Sequence, residues 1–200
     1  MVYLSNGNRR MDIPTFSLPT GASCPGATIS CSRWCYAKKA ERLWKNVMPS
    51  RVRNLNDSKR ETFVNEMSKE ISKNKSFYIR IHESGDFYSQ RYLEKWFEIC
   101  RRFPEKKFLA YTQSYNLDYS KKPSNMVLYW TIWPDSRCIP KTGLKAFVID
   151  NGSRTLRNYS EQPQGLEIAF KCKKGHGSTL TCDKCLHCFE GRGDVIFEVH

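Results

Sequence analysis

The sequence has no long apolar run, no internal repeat and few acidic residues. Without an apolar stretch of about 20 residues, no transmembrane helix is expected. The first ten residues lack the apolar core of a secretory signal, so we expect the protein to stay in a reducing cytoplasm. Nucleophile-elbow, phosphate-loop and zinc-protease motifs are also absent. These absences predict a protein without membrane association and without a common catalytic signature.

The shortage of acids leaves the chain strongly basic. It has 33 Lys and Arg against 20 Asp and Glu, which gives a formal net charge of +13. A surface this basic attracts anions, so nucleic acid and small anionic or ester substrates are the expected partners. The basic residues are spread along the chain, which favours general attraction over a base-reading element. The length of 200 residues suits one domain over residues 1–200 with a full core.

The cysteines are unevenly distributed along the chain, because seven of the nine form two groups. In a reducing compartment, clustered cysteines are more often metal ligands than disulfides. The double C-x2-C step near the end is typical of ferredoxin loops. The sequence therefore predicts a [4Fe–4S] cluster, with segments 24–35 and 172–188 packed together as its site. The first group, with spacing C-x6-C-x3-C, is Cys24, Cys31 and Cys35, and the second, with spacing C-x9-C-x2-C-x2-C, is Cys172, Cys182, Cys185 and Cys188.

The assignment of ligands stays open at this point. The second group fits a four-cysteine zinc site, in which His176 or His187 can substitute for a thiolate. The first group fits a cluster with one iron left without a protein ligand, while the tail holds zinc or a second cluster. Alternatively, the two groups share one cluster. Cys100 and Cys138 are interpreted as ordinary cysteines.

The expected fold is α/β. Hydrophobic periodicity predicts helices over residues 32–48, 55–72 and 89–103, with Pro49 ending the first. Strand–helix–strand order with short links implies parallel pairing. The later strands leave little room for helices, so we expect a partial or shrunken parallel β/α barrel-like sheet with a cysteine-rich metal-binding tail. Residues 1–23 are expected to be irregular. Strands are predicted over residues 77–82, 107–112, 126–132 and 145–150, and weaker ones over 166–170 and 195–199.

The end of the first predicted strand carries the candidate catalytic residues. Alternation along a strand places Arg80 and His82 on one face. There His82 can act as acid or base, Asp86 can orient it or bind metal, and Arg80 can hold an anion. Ser84 in the turn and Lys38 after the cysteine loop complete the set. Taken singly, each has a simpler structural explanation: a core histidine, a helix cap, an ion pair. Together, at the carboxyl end of a strand, they predict a site.

Four segments together resemble the phage gene product 88-like family. The resemblance implies a virus-encoded iron–sulfur protein acting in the cytoplasm of the infected host cell. A looser likeness links the chain to radical-SAM enzymes, which also have early cysteines followed by a barrel-like α/β chain. Their usual spacing is C-x3-C-x2-C and they carry a Gly-Gly-Glu element, and both are missing here. The segments that carry the family resemblance are residues 24–38 (CPGATISCSRWCYAK), 80–89 (RIHESGDFYS), 111–114 (YTQS) and 181–188 (TCDKCLHC).

Three functions follow from these observations. The first is an iron–sulfur hydrolase acting on ester bonds, in which an open iron or a His/Asp/Ser arrangement polarises a carbonyl for attack by water. The second is a nucleic-acid-associated structural or regulatory protein with an iron–sulfur or zinc staple, using Trp130 and Trp133 for stacking. The third is a radical-SAM-like enzyme.

Overall fold

A computed structural model of the chain describes residues 4–7, 11–149, 168–172 and 180–199. Seven strands form one sheet in the order β1-β2-β3-β4-β5-β7-β6, and every neighbouring pair is parallel. The expectation of an α/β fold with a parallel sheet is confirmed. Within the described ranges the sheet is not seen to close into a barrel. The strands are β1 Thr15–Phe16, β2 Tyr78–Ile81, β3 Lys107–Thr112, β4 Met126–Ile132, β5 Leu144–Ile149, β6 Phe170–Lys171 and β7 Val195–Glu198.

The helices concentrate in the first half of the chain. Four of them lie between β1 and β2, and one lies between β2 and β3. The links 113–125 and 133–143 contain no helix, as the short spacing predicts. In the part of the chain that the structure describes, no helix is both long and apolar enough to span a bilayer. The helices are α1 Ile29–Arg33, α2 Tyr36–Leu43, α3 Val47–Lys59, α4 Phe63–Ser72, α5 Gln90–Arg102 and α6 Cys182–Cys185.

One face of the sheet packs against α4 and α5. Because side chains alternate along a strand, Ile79 and Ile81 of β2 and Phe108 and Ala110 of β3 all point to this face. Trp96 of α5 is fully buried among them. The apolar stripe predicted for the helix over residues 89–103 therefore forms the main core. It stabilises the sheet and fixes the positions of the loops at the strand ends.

The opposite face packs against the C-terminal segment. Tyr78 of β2 and Phe189 place their ring centres 5.1 Å apart, and Tyr111 of β3 stacks on Tyr129 of β4 at 5.2 Å. Arg80 lies on the same face, with its guanidinium 4.2 Å from the centre of the Tyr111 ring. The C-terminal segment thus covers this face of the sheet, and α4 and α5 cover the other.

The predicted helix over residues 32–48 is wrong in its bounds. The chain breaks into α1 and α2 and then starts α3 at Val47. Pro49 does not end a helix but occupies the first turn of α3, where its missing N–H would have no partner in any case. The second predicted helix, over residues 55–72, is also divided, because Arg60 adopts an extended conformation between α3 and α4.

The sheet begins earlier than predicted. The strand β1 has two residues and pairs with β2 through Thr15↔Arg80 and Phe16↔Ile81. No alternating pattern can be read from two residues, so the prediction of an irregular segment 1–23 missed it. Part of the weak strand prediction over 166–170 survives as β6, while residues 166 and 167 lie outside the described ranges, as does residue 150.

Candidate functional site

The carboxyl ends of β1, β2 and β3 meet at one edge of the sheet. The backbone N–H of Leu18 donates to the carbonyl oxygen of Ser84 at 2.9 Å, and the Ser84 hydroxyl donates to the carbonyl oxygen of Leu18 at 2.7 Å. Gly85 has a φ of 87°, and a Cβ there would lie 2.5 Å from the Cβ of Leu18. Only glycine suits this turn, which joins the segments that follow β1 and β2.

Asp86 joins the next strand to the same edge. Its carboxylate accepts hydrogen bonds from the Thr112 hydroxyl at 2.6 Å and from the backbone N–H groups of Gln113 and Phe87 at 2.8 and 2.7 Å. Its own N–H donates to the carbonyl oxygen of Ser23 at 3.0 Å. Burial raises the Asp86 pKa to about 6, although these hydrogen bonds act to lower it. Asp86 therefore orders both the end of β3 and the entry to the cysteine loop.

The loop that carries the first three cysteines lies directly on this edge. A Cβ on Gly26 would lie 2.2 Å from the carbonyl oxygen of Gln113, so the loop backbone touches the chain that follows β3. Thr28 caps α1, since its hydroxyl accepts from the backbone N–H of Cys31 at 3.1 Å. These contacts fix the loop between Cys24 and Cys35 without any metal.

The thiols of this loop lie close enough to interact electrostatically with one another and with Asp86. Burial raises the pKa of Cys24 and raises that of Cys31 to about 11. The side-chain amide of Gln113 donates to the sulfur of Cys31 at 3.0 Å, which favours the thiolate. Three half-buried sulfurs with an amide donor beside them form a donor set that suits a metal, whose positive charge would offset the cost of burial.

Single-ion geometry is not found in the structure. Across residues 4–7, 11–149, 168–172 and 180–199, no three Cys, His, Asp or Glu side chains are grouped as the ligands of one metal ion would be. The thiolates of an iron–sulfur cluster bind different irons and therefore stand farther apart than the ligands of a single ion. A cluster therefore needs no such grouping around a single ion, and the loop thiols remain candidate ligands.

Three tail cysteines, Cys172, Cys182 and Cys188, pack on the sheet face that carries Tyr111 and Tyr129. The thiol of Cys188 interacts electrostatically with Cys172, Cys182 and Arg80 and shares a hydrogen bond with the Tyr111 hydroxyl. Burial raises its pKa to about 12. Cys172 also extends the pairing of β6, as its N–H donates to the carbonyl oxygen of Ile196 at 2.9 Å. The tail thiols and the loop thiols therefore have different neighbours.

The remaining tail candidates divide between described and undescribed segments. Cys185 lies on α6 with Cys182 and is half-buried. The ring of His187 stacks on Phe170 at 4.1 Å, and its Nε2 is buried without a hydrogen-bond partner in the described part of the chain. His176 lies outside the described residues.

His82 is not at the site, and the prediction that it shares a face with Arg80 is wrong. Its φ of 62° interrupts the alternation of β2 and turns the imidazole towards the helices. There its Nε2 and the Tyr92 hydroxyl are 2.8 Å apart, and the rings of Phe16 and Phe87 lie close by. Burial, and then the charge of Arg80, lowers the His82 pKa to about 3. His82 is a neutral core histidine.

The other members of the predicted catalytic set are also separated. Ser84 donates to the carbonyl oxygen of Leu18, so His82, Ser84 and Asp86 make no hydrogen bond to one another and form no triad. Lys38 lies on α2 and donates to the carbonyl oxygen of Ser32 at 2.7 Å. Of the five residues, Lys38 hydrogen-bonds to the cysteine loop itself and Asp86 to Ser23 at its entry.

Two contacts at the edge were not expected from the sequence. The carboxylate of Asp135, in the loop after β4, accepts from the backbone N–H of Ser30 at 2.9 Å. The hydroxyl of Tyr36 donates to the carbonyl oxygen of Glu83. The position of Tyr36 directly after Cys35 was the available signal. Nothing in the sequence pattern distinguishes Asp135.

The two tryptophans that were expected to stack on bases already make contacts within the protein. Trp133 is buried and packs with Val148 and with the half-buried Cys31 and Trp34. The indole N–H of Trp130 donates to the carbonyl oxygen of Thr142 at 2.9 Å. Neither ring is presented as an open platform for a nucleic acid.

Comparison with known proteins decides the family. The pattern described as gene product 88 matches residues 3–191 of this chain. The chain belongs to the gene product 88 family. It is similar to the Gene 88 protein of Mycobacterium phage D29, at 30% identity over 216 residues that cover 96% of this chain and 89% of the relative. The Gene 88 protein of Mycobacterium phage L5 is similar at 28% identity over 221 residues, with the same coverage of 96% and 89%.

The resemblance to a phage family is therefore confirmed. No solved structure matches the chain. The relatives are named only as Gene 88 proteins, so an activity for the gene product 88 fold has to be argued from its site.

Proposed function

We propose that this gene product 88 protein is an iron–sulfur enzyme whose cluster is held by Cys24, Cys31 and Cys35. The observation that supports the proposal is the position of these thiols. They converge on the carboxyl-terminal edge of a parallel sheet, where α/β proteins place their active sites, and an amide of that edge donates to one of the sulfurs. Three thiolates leave one iron of a [4Fe–4S] cluster free to bind a small molecule.

The protein supplies the rigid surroundings of that site. Asp86 accepts the backbone N–H of Gln113 and so orients the residue that donates to Cys31. Gly26 allows the cysteine loop to rest on the backbone of the same residue. When bound, a cluster of this kind supplies either an electron or a Lewis-acidic iron to its ligand. The role of Asp86 and Gln113 is to position the sulfurs and to exclude water from behind them.

The geometry favours a radical-SAM-like reaction as the chemistry. The cysteine loop directly follows β1, and the first five strands lie in the sheet in chain order, as in a partial β/α barrel. That is the arrangement that the looser resemblance implies, in spite of the different cysteine spacing. The proposed reaction is reductive cleavage of S-adenosylmethionine bound at the free iron.

Ester hydrolysis is the second candidate, and it depends on the same free iron. The alternative route through Ser84, His82 and Asp86 has no support in the contacts of these residues. A hydrolase built on this site would use the iron to polarise the carbonyl. Both candidates therefore require the three loop cysteines, and they differ in the substrate that is consumed.

The test starts with protein purified without oxygen. Iron and sulfide content and the visible absorption spectrum are measured for the wild type, for Cys31→Ala and for Cys182→Ala. We expect a brown protein that loses its colour in the loop variant and keeps it in the tail variant. Equal iron content in the wild type and in Cys31→Ala, or no iron in either, contradicts the proposal.

The reaction is then assigned with two assays on the same protein. In the presence of dithionite, formation of 5′-deoxyadenosine from S-adenosylmethionine identifies radical chemistry. Hydrolysis of a p-nitrophenyl ester that is lost in Cys31→Ala identifies the hydrolase. Absence of both reactions in a protein with full iron content rejects the enzymatic part of the proposal.

The tail cysteines are proposed as a second, structural metal site. Cys188 interacts electrostatically with both Cys172 and Cys182. Zinc held there would tie the tail to β3 and β7. Zinc analysis of the wild type and of Cys188→Ala tests this. Metal content unchanged by the substitution contradicts it.

A further inference from the structure

The fully buried residues of helix α3 are all polar: Arg51, Asn54, Asp57 and Ser58. Its exposed face instead carries the apolar side chains of Met48 and Val52. A helix that packs on a core normally buries its apolar side. The exposed apolar residues of α3 are therefore unexplained by folding and indicate a contact surface.

The buried polar face holds α2 and α3 together. The guanidinium of Arg51 lies 3.0 Å from the carboxylate of Glu41 on α2 and also donates to the carbonyl oxygen of Ala37. Glu41 accepts in addition from the backbone N–H of Thr20 at 2.9 Å. The inner sides of both helices are thus fixed, and the exposed residues between 39 and 52 lie on their outer sides and in the turn between them.

Cations are interspersed with the apolar side chains of this stretch. We call it the α2–α3 surface and define it by Lys39, Arg42, Trp44, Lys45, Met48 and Val52, all of which are exposed. In the parts of the chain described by the structure, no carboxylate forms an ion pair with any of its three cations. The acid of α2, Glu41, is turned inward to Arg51.

The uncompensated charge costs stability within α2. Lys39 and Arg42 are three residues apart on a short helix, a spacing at which like charges repel. Next to them the indole of Trp44 is 65% exposed. Fixed cations beside an exposed aromatic ring match a ligand that offers negative charge and flat apolar surfaces together.

We propose that the α2–α3 surface binds single-stranded nucleic acid. Phosphates pair with Lys39, Arg42 and Lys45, and an unpaired base stacks on Trp44. A duplex keeps its bases stacked on one another and offers no free face to this ring, so single strands bind more tightly. Because α2 begins at the residue after Cys35, the bound strand passes beside the cysteine loop.

An anionic membrane is the competing partner, and the distribution of residues argues against it. An interfacial helix separates a cationic face from an apolar face along its length. Here α2 has only eight residues, and the α2–α3 surface is not one helix: Trp44 and Lys45 lie between α2 and α3, and Met48 and Val52 lie on α3. The inference uses no property of the proposed cluster, so the two stand or fall separately.

Fluorescence anisotropy with a labelled oligothymidine of about 20 nucleotides, longer than the usual site size, tests the inference on the full chain. The wild type should bind, and the triple variant Lys39→Ala, Arg42→Ala, Lys45→Ala should bind roughly ten-fold or more weakly. The slope of log affinity against log salt should become shallower by about 2, as expected for three lost phosphate contacts on a single strand. Trp44→Ala should weaken binding roughly ten-fold with the salt slope unchanged.

A matched control removes the same charge at the opposite edge of the sheet. Lys69, Lys75 and Lys121 are exposed and lie near the amino ends of β2 and β4. Their triple alanine variant should bind oligothymidine within about two-fold of the wild type, because exposed charges beyond a screening length contribute little. Equal losses in the two triple variants overturn the assignment to the α2–α3 surface.

Two further arms separate the partners. Tighter binding to a duplex of the same length overturns the preference for single strands. Vesicles of phosphatidylcholine and phosphatidylserine serve as the membrane probe. If vesicles bind through these residues and oligothymidine does not, the proposal is wrong. Circular dichroism of each variant confirms that α2 and α3 remain folded, so that loss of binding is not loss of structure.

Discussion

His82 is a neutral imidazole sealed among aromatic rings, and its Nδ1 has no hydrogen-bond partner in the described part of the chain. Its pKa is about 3 in the folded protein and about 6.5 when unfolded. The unfolded state therefore takes up the proton first as pH falls. The stabilising contribution is complete above pH 6.5 and is lost progressively between pH 6.5 and 3.

We expect the free energy of unfolding to fall by about 2 kcal/mol between pH 7.5 and 5 on account of His82. In His82→Asn this part of the pH dependence should disappear, since Asn tolerates a left-handed backbone and does not titrate. Urea unfolding at several pH values measures it. Asp86, whose raised pKa acts with the opposite sign, titrates in both proteins and cancels in the comparison. Parallel pH profiles of wild type and variant would contradict the expectation.

Gly26 is the tightest contact of the cysteine loop. A Cβ there would meet a backbone carbonyl oxygen at 2.2 Å, and backbone cannot rotate away. We expect Gly26→Ala to lower the free energy of unfolding by about 1–3 kcal/mol, the usual cost of overpacking. The variant should also retain less iron than the wild type, since the loop is displaced from Gln113. Unchanged stability and iron content would show that the loop is not seated on the sheet edge.

For single residues, the sequence predicted which residue types belong to the site better than it predicted where their side chains lie. The cysteines of the loop were found because they are clustered, and Asp86 because it follows a predicted strand; Gln113 was not singled out. The fate of His82 was not predictable, because one left-handed residue reverses the face on which a side chain points. Strand alternation alone cannot detect such a residue when it is not glycine.

Among the elements, α3 is unusual because a buried polar side chain contributes more to its stability than an exposed apolar one. Asn54 is buried and donates to the carbonyl oxygen of Ser17 at 3.1 Å, while Val52 is exposed. Asn54→Ala should lower the free energy of unfolding by about 1–3 kcal/mol, because the partner loses a buried hydrogen bond. Val52→Ala should change it by no more than about 0.5 kcal/mol. Chemical denaturation of both variants measures these free energies of unfolding. A larger loss for Val52→Ala than for Asn54→Ala would contradict the orientation of the helix.

The helix boundaries were predicted poorly for the same reason. Periodicity locates apolar faces, and α3 presents Met48 and Val52 to solvent while its fully buried residues are polar. The apolar stripe of α5 was placed almost correctly and that of α4 at its C-terminal end, since their apolar residues do face the core. Strands β3 and β4 were placed to the residue, because both are long enough to show their composition.

For the whole molecule, the parallel sheet followed from the order of strands and helices along the chain. The pairing of β7 did not, because this strand inserts between β5 and β6. Ile196→Pro places proline in a strand that is paired on both sides, which should cost about 3 kcal/mol or more and leave little soluble protein. Lys171→Pro lies in the edge strand β6 and should cost less. The two variants are compared by their soluble yield and by thermal unfolding. Equal losses of stability in both would argue against the internal position of β7.

The place of β7 also bears on how the protein is made. Strands β1 to β5 join the sheet in the order in which they leave the ribosome, so each finds its neighbour already present. β6 emerges next but has no partner until β7 follows it. During this interval the nascent chain exposes the open edge of β5, a template for pairing with other chains. Slow translation before residue 195 would prolong that exposure, so codon choice in the last quarter of the gene should affect the yield of folded protein.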